Sequence, residues 1–489
     1  MPKEKSIVKN SIFNFIKTFS NVAFPVITFT YSARILGIDG VGKISFVKSV
    51  IAYFTMFALL GMNYYGTREA AKLREDRDKL SKYAHEMLLI NGITTVLAYV
   101  LLFLAMLFVP RLRSYSTLVL INSLAIVLQG MGMEWLYQGL EEYRYIAVRS
   151  VLFQVGALVA MFIFVRNAGD VVPYSAVTLT ATSGSYVLNF ANTRKYINLR
   201  WYGNYEVKKH LRPLLRLFAM TVSIELYTVL DSTMLGFFQG DAAVGRYTAA
   251  VKVNKMIITL INAAGVVLIP RLSFYIGQGE WEKIKTLVNK IYNFVFLLSV
   301  PATVGLFMLG NEIILLFSGS AFSSAALTMR LLTPIVLIIP LSVVTNLQVF
   351  IPMGKEKLIL CATMSGAVTN FSCNLFLIPR FAENGAAIAT VAAEMVVTIV
   401  CFACVRKFFD MRQIFNKYYQ YWLAAIPIPL ITILAKTLPV HYVIRMFIVM
   451  VLSAGCYFLL LLVLKNDYLL ETFQTVRNNL MEKQDGEIS

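Results

Sequence analysis

Charge is what this chain has least of. Of its 489 residues only 15% are Asp, Glu, Lys or Arg, while 58% are apolar. Soluble domains carry about 25% charged residues, so a soluble protein is excluded. Long polar loops are also missing: the longest stretch between apolar runs is about 20 residues, below even a small domain of ~50. That excludes an extramembrane catalytic domain of the kind expected of a glycan polymerase or a lipid-linked glycosyltransferase. Histidine is confined to His85, His210 and His441, and cysteine to Cys361, Cys373, Cys401, Cys404 and Cys456, all five within apolar runs. The one CxxC pattern, Cys401-Phe402-Ala403-Cys404, lacks the second pair a zinc shell needs. Neither a metal site nor a disulfide framework is expected. The start of the chain, with Lys3, Lys5 and Lys9 ahead of a long apolar run, has no small-residue cleavage pattern.

What is present is a succession of apolar runs, such as 92–109, 146–165, 292–310 and 444–464. Each is close to the ~20 residues that cross a ~30 Å hydrocarbon layer as a helix. The pattern predicts an all-α polytopic membrane protein of about fourteen spans. They are read at 11–33, 44–63, 86–109, 115–137, 146–165, 171–191, 214–237, 246–269, 288–310, 325–350, 358–378, 384–404, 419–437 and 442–464. With both termini inside, cytoplasmic segments hold 28 Lys and Arg and the opposite side holds seven. This bias orients the chain. It also accounts for the net charge of +18 without nucleic acid, because the basic residues are dealt out loop by loop and form no patch. The loop from Thr67 to Leu80 is rich in helix formers and predicts a short surface helix. Trp135 and Tyr137 read as interfacial anchors.

Two outer turns about 200 residues apart carry similar glycines. Leu36-Gly37 with Gly40 and Gly42 is set against Leu235-Gly236 with Gly240 and Gly245. Each joins the first two of six spans, and six is even, so the units are parallel repeats, as in transporters that alternate access between two lobes. The expected organisation is an N-lobe over 1–205, a C-lobe over 206–410, and a two-span hairpin with its tail over 411–489.

An ionisable group at bilayer depth is costly unless it faces protein or water, so each marks a candidate site. Helical spacing places Lys17 on one polar stripe with Asn14, Asn21 and Thr28, and Lys252 and Lys255 on another with Thr259 and Asn262. Lys48 lies within span 2, Glu225 and Asp231 in span 7, and Glu394 in span 12. Together they predict a wet central cavity with four lysines against two or three carboxylates, a sign that favours an anionic substrate. Glu225, Asp231 and Glu394 read either as neutralising partners or as groups that couple H+ or Na+. Glu134 reads as an inner-side latch toward Arg144 or Arg149.

The order of these features resembles the Wzx-type polysaccharide flippases, within the superfamily that includes MATE drug exporters and lipid II flippases. The resemblance is carried by Ala33-Arg34-Ile35-Leu36-Gly37 through Gly42, by Glu134-Trp135 with Gln138-Gly139-Leu140-Glu141, and by Ile378-Pro379 through Gly385-Ala386-Ala387. It implies a transporter rather than an enzyme, without a cofactor. The implied activity is transfer of undecaprenyl-diphosphate-linked oligosaccharide from the cytoplasmic to the outer leaflet of the cell membrane by alternating access, with membrane lipids and the polysaccharide polymerase machinery as partners. The family's cationic lumen residues map to Lys17, Lys48, Lys252 and Lys255. Asn14, Asn21, Asn262, Asn370 and Asn374 are then expected to bond sugars. The alternatives of the same fold are a cation-coupled multidrug exporter, which four lysines disfavour, and a lipid II flippase.

Overall fold

A computed structural model describes residues 7–198, 200–266, 269–409, 415–472 and 474. The side chains of residues 7–19, 21, 22, 220, 224, 227, 263–271 and 273 lie outside that description. Eight continuous helices among the described residues are long and apolar enough to cross a membrane. Two of them, Ala23–Leu73 and Glu356–Val405, run to 51 and 50 residues, more than twice the ~20 of one span. Their helical paths break at residues of positive φ: Gly37 (φ 67°) and the Leu60–Gly61 turn (φ 45° and 75°) in the first, and Ala382 (φ 47°) in the second. With those limbs taken separately, and the helices interrupted by prolines or wide turns taken together, the described residues form the expected fourteen long helices. Their outer faces are apolar: Phe108 is 80% exposed and Val463 75%. Surfaces of that kind require lipid as solvent, and the protein is a multi-pass membrane protein.

The described residues form two compact units. The first comprises residues up to Thr248 together with Phe371–Ala386; the second comprises Ala249–Asn370 and the residues after Ala386.

In the first unit the glycine turns meet each other. Gly37 (φ 67°, ψ −174°) and Gly240 (φ 91°, ψ −176°) share one backbone conformation, which an L side chain rarely adopts. Five residues beyond each lie Gly42 and Gly245. A side-chain carbon on Gly42 would overlap the backbone of Asp241, and one on Gly245 would overlap that of Ile38. The matching register is therefore 203 residues. The alignment of Gly37 with Gly236 is four residues out, because the residue that must turn left-handed is Gly240.

Other expectations shift for local reasons. The surface helix runs Met62–Leu73 rather than over 67–80. Asp76, whose side chain accepts the Lys79 amide at 3.0 Å, caps the start of Arg77–Phe108 and ends the preceding segment. Those hydrogen bonds from Lys79 hold the Asp76 carboxyl below its ordinary range. The fourth span breaks at Met133 (φ 43°) into Ser116–Met131 and Glu134–Gly139. Trp135 and Tyr137 are buried in the protein instead of anchoring at the interface. Trp135 packs on Gly66 and on the Tyr83 ring, where any larger residue at 66 would collide with the indole.

In the second unit, the C-terminal hairpin of Tyr419–Ala425, Pro427–Lys436 and Tyr442–Val463 is tied down by polar groups. Tyr421 Oη donates to Asn293 Oδ1 (2.8 Å), Gln420 Nε2 to the Leu464 carbonyl (3.0 Å), and Asn466 Nδ2 to Gln420 Oε1 (2.9 Å). Buried bonds of this kind fix the hairpin's register on Trp281–Met308, where Leu-on-Leu contact in lipid specifies little.

Candidate substrate cavity

A cavity of about 500 Å³ opens in the first unit along the second limb of Ile7–Leu59, from Lys48 to the Gly61 turn. Lys48 to Leu59 is eleven residues, so the cavity follows roughly 16 Å of helix. Lys48 Nζ donates to Thr178 Oγ1 at 2.7 Å, which aims the ammonium at the Val171–Leu179 helix. Asn122 Nδ2 reaches Ser175 Oγ at 2.6 Å on the same helix. That helix then widens into a π turn, Thr180–Gly184, which presents Thr182 and Ser183 to the cavity. Such turns place side chains out of normal register and recur at functional sites. Thr221 and Glu225 of span 7 complete the lining. The charged groups lining this cavity are Lys48 and Glu225. Thr228 Oγ1 donates to Glu225 Oε2 at 3.2 Å, and the helix Val207–Gln239 bends by 58° across this stretch.

The other end of the same limb is shut. Six residues before Lys48, Gly42 lies against Asp241. Asp241 is held by Arg111 Nη2 at 2.7 Å and by the Tyr115 hydroxyl, and the Arg111 guanidinium lies 4.8 Å over the Phe46 ring. Alongside, Arg246 makes a bidentate pair with Glu383, its Nη2 at 3.2 Å. Gln239 Nε2 donates to the Ile378 carbonyl at 3.0 Å. None of these partners was identified from sequence. A partly buried Arg–carboxylate pair is stronger than an exposed one, and a bidentate fork also sets geometry.

The remaining predicted residues fall elsewhere. The side chains of Asn14, Lys17 and Asn21 lie outside the described residues. Asp231 is 4% exposed; it accepts Asn374 Nδ2 at 2.6 Å and the Tyr247 hydroxyl, so it ties three helices of the first unit. Asn370 and Asn374 are fully buried. In the second unit Lys252 and Lys255 are exposed, Asn262 is half-buried and Glu394 is buried. Glu134 pairs with Arg149 at 3.6 Å, whereas Arg144 is exposed. Arg149 is itself buried, between the rings of Tyr145 and Tyr186. Among the described residues no group of three or more His, Cys, Asp or Glu is placed to hold a metal.

Fold and cavity define a polytopic helical membrane transporter. Within that class the chain belongs to the family described as "Polysaccharide biosynthesis protein", which matches residues 7–275, more than half of its length. The MatE family matches residues 217–376. Among curated proteins, the "Putative O-antigen transporter" of Escherichia coli (strain K12) is 24% identical over 407 residues, covering 82% of this chain and 97% of that protein. The "Probable low-salt glycan biosynthesis flippase Agl15" of Haloferax volcanii is 26% identical over 36% of this chain and 37% of its own. Of solved structures, the lipid II flippase MurJ in an inward closed conformation superposes with TM-score 0.75 at 14% identity, covering 93% of this chain and all of that one. An inward-facing MATE-family multidrug transporter superposes with TM-score 0.56 at 16% identity, over 81% of this chain and 99% of that one. At such identities the structural likeness carries the fold alone.

Proposed function

We propose that this protein is a flippase that moves undecaprenyl-diphosphate-linked oligosaccharide units from the cytoplasmic to the outer leaflet by alternating access, for cell-surface polysaccharide synthesis. The observation that carries the reading is the Lys48 cavity, in which one ammonium lies among hydroxyl and amide side chains, with the Gly42–Asp241 contact at the other end of its limb. An ammonium that already donates to a threonine hydroxyl is preset to receive a diphosphate oxygen. Membership of a polysaccharide biosynthesis family and the names of the curated relatives support the same substrate class.

In this reading the protein sits in the cell membrane with both termini in the cytoplasm. Lys48 takes the diphosphate in the first unit, and Lys17, Lys252 and Lys255 are further cations offered to the anionic substrate, while the polyprenyl tail stays in lipid. Asn14, Asn21, Asn262, Asn370 and Asn374 contribute sugar contacts as the lobes rock. Glu225, Asp231 and Glu394 are the groups that couple H+ or Na+, and Glu134 acts at the inner gate. The polymerase machinery receives the product. Depletion of the protein tests the reading: complete oligosaccharide units should accumulate on the cytoplasmic leaflet. An unchanged lipid-linked pool, with increased dye retention, would favour a drug exporter instead.

A further inference from the structure

A second cavity, of about 490 Å³, adjoins the first and shares with it Leu59, Asn63, Tyr64 and Gln129. It continues the path from Lys48 past the Gly61 turn. Its chemistry differs from that of the deeper chamber. Asn63, Gln129 and Gln138 bring three side-chain amides, each with two N–H donors and a carbonyl acceptor. Thr67 adds a hydroxyl and Glu134 a carboxylate, and the rings of Tyr64 and Tyr186 form apolar walls. Tyr64 is 54% exposed, on a different face of its helix from the buried Tyr65.

The polar groups are held in place. Glu134 is pinned by the buried Arg149, and Gln138 Nε2 donates to Glu134 Oε1 at 3.4 Å. Thr67 Oγ1 lies 2.7 Å from the Asn63 carbonyl and 3.3 Å from Gln138 Oε1, and its one proton serves either acceptor. Arg68, the remaining cation of the lining, is drawn off by Glu69 at 3.1 Å and lies over the Tyr65 ring. With Arg68 paired to Glu69 and a carboxylate, Glu134, in the lining, the chamber disfavours phosphate, and three amides disfavour an apolar drug. A sugar meets both demands: its hydroxyls donate and accept toward amides and a carboxylate, and its C–H face lies on an aromatic ring.

We propose that this vestibule is an oligosaccharide subsite, formed by Tyr64, Asn63, Gln129, Gln138 and Glu134, that reads the sugars distal to the diphosphate. It rests on the flippase reading, since the roughly 16 Å of helix between Lys48 and Leu59 separates the two subsites. A diphosphate at Lys48 then puts the outer sugars, and not the first one, in the vestibule.

The test uses the full-length protein in nanodiscs and two probes: the lipid-linked oligosaccharide purified from depleted cells, and undecaprenyl diphosphate without sugar. Wild type should bind the first more tightly than the second. Tyr64→Ala and Gln138→Ala should each lower that preference about tenfold, a change in relative affinity. Tyr64→Phe, which keeps the ring, should retain it, and Thr67→Val serves if Gln138→Ala does not fold. Melting temperatures near wild type exclude general damage. A preference that survives in the folded variants, or wild-type binding of both probes with equal affinity, overturns the vestibule proposal and leaves the flippase reading standing. Wild-type binding of neither probe overturns both.

Discussion

Replacing Gly42 with alanine should release the closed end of the cavity. The added carbon would lie 2.6 Å from the Asp241 carbonyl carbon, 0.8 Å inside the 3.4 Å at which ordinary contact begins. The obstacle is backbone, so no rotamer change relieves it and the two helices must part. Overpacking of this kind costs about 1–3 kcal/mol. As a cost paid only in the closed state, that shifts an open–closed equilibrium roughly 5- to 150-fold. The gain in helix propensity from glycine to alanine acts equally on both states and does not alter their balance. The assay is labelling of a single cysteine at Thr182, on the cavity wall, by an impermeant maleimide added outside, in a protein whose five native cysteines have been replaced. Gly42→Ala should speed labelling at least about fivefold, at the low end of that range. Gly92→Ala, where the added carbon meets nothing within 4 Å, should not change it. Unchanged labelling in Gly42→Ala at normal membrane levels would refute the argument that the glycine contact seals the cavity.

Lys48→Gln should abolish export in a complementation assay with normal insertion, and full activity would remove Lys48 from the substrate site. Asp231→Ala strands Asn374 and Tyr247 without their acceptor, which should destabilise the protein by about 1–3 kcal/mol and lower its melting temperature; an unchanged melt would contradict the tie. Arg246→Ala should likewise speed outside labelling at Thr182, because Glu383 loses its bidentate partner. Asp76 has a folded pKa below its unfolded value, so its cap is intact above the usual carboxylate range and is lost as pH falls through the lowered value. The protection of the Lys79 amide, relative to its intrinsic exchange at each pH, should fall there, and at neutral pH in Asp76→Ala.

The number of spans was readable because lipid imposes a length and an apolar composition on every crossing helix. Lys48 and Glu225 were readable for the converse reason: a charge within such a span must face protein or water, and both line one cavity. Pairings across the sequence were not readable. Asp231 gave no hint of Asn374, 143 residues away, and Arg111 finds Asp241 at a separation of 130. The glycine repeat was visible but its register was not, since which glycine takes positive φ depends on where two helices touch. The vestibule was missed because Asn63, Tyr64 and Gln138 are ordinary residues near span ends; only folding brings them around Glu134.

The most direct measurement of the central claim is translocation by the purified protein in vesicles, using lipid-linked oligosaccharide placed in one leaflet and detected with a membrane-impermeant lectin or glycosidase on the other side. Oligosaccharide should appear on the far side with the wild-type protein and stay behind with Lys48→Gln. Equal appearance with wild type, Lys48→Gln and protein-free vesicles would contradict the account.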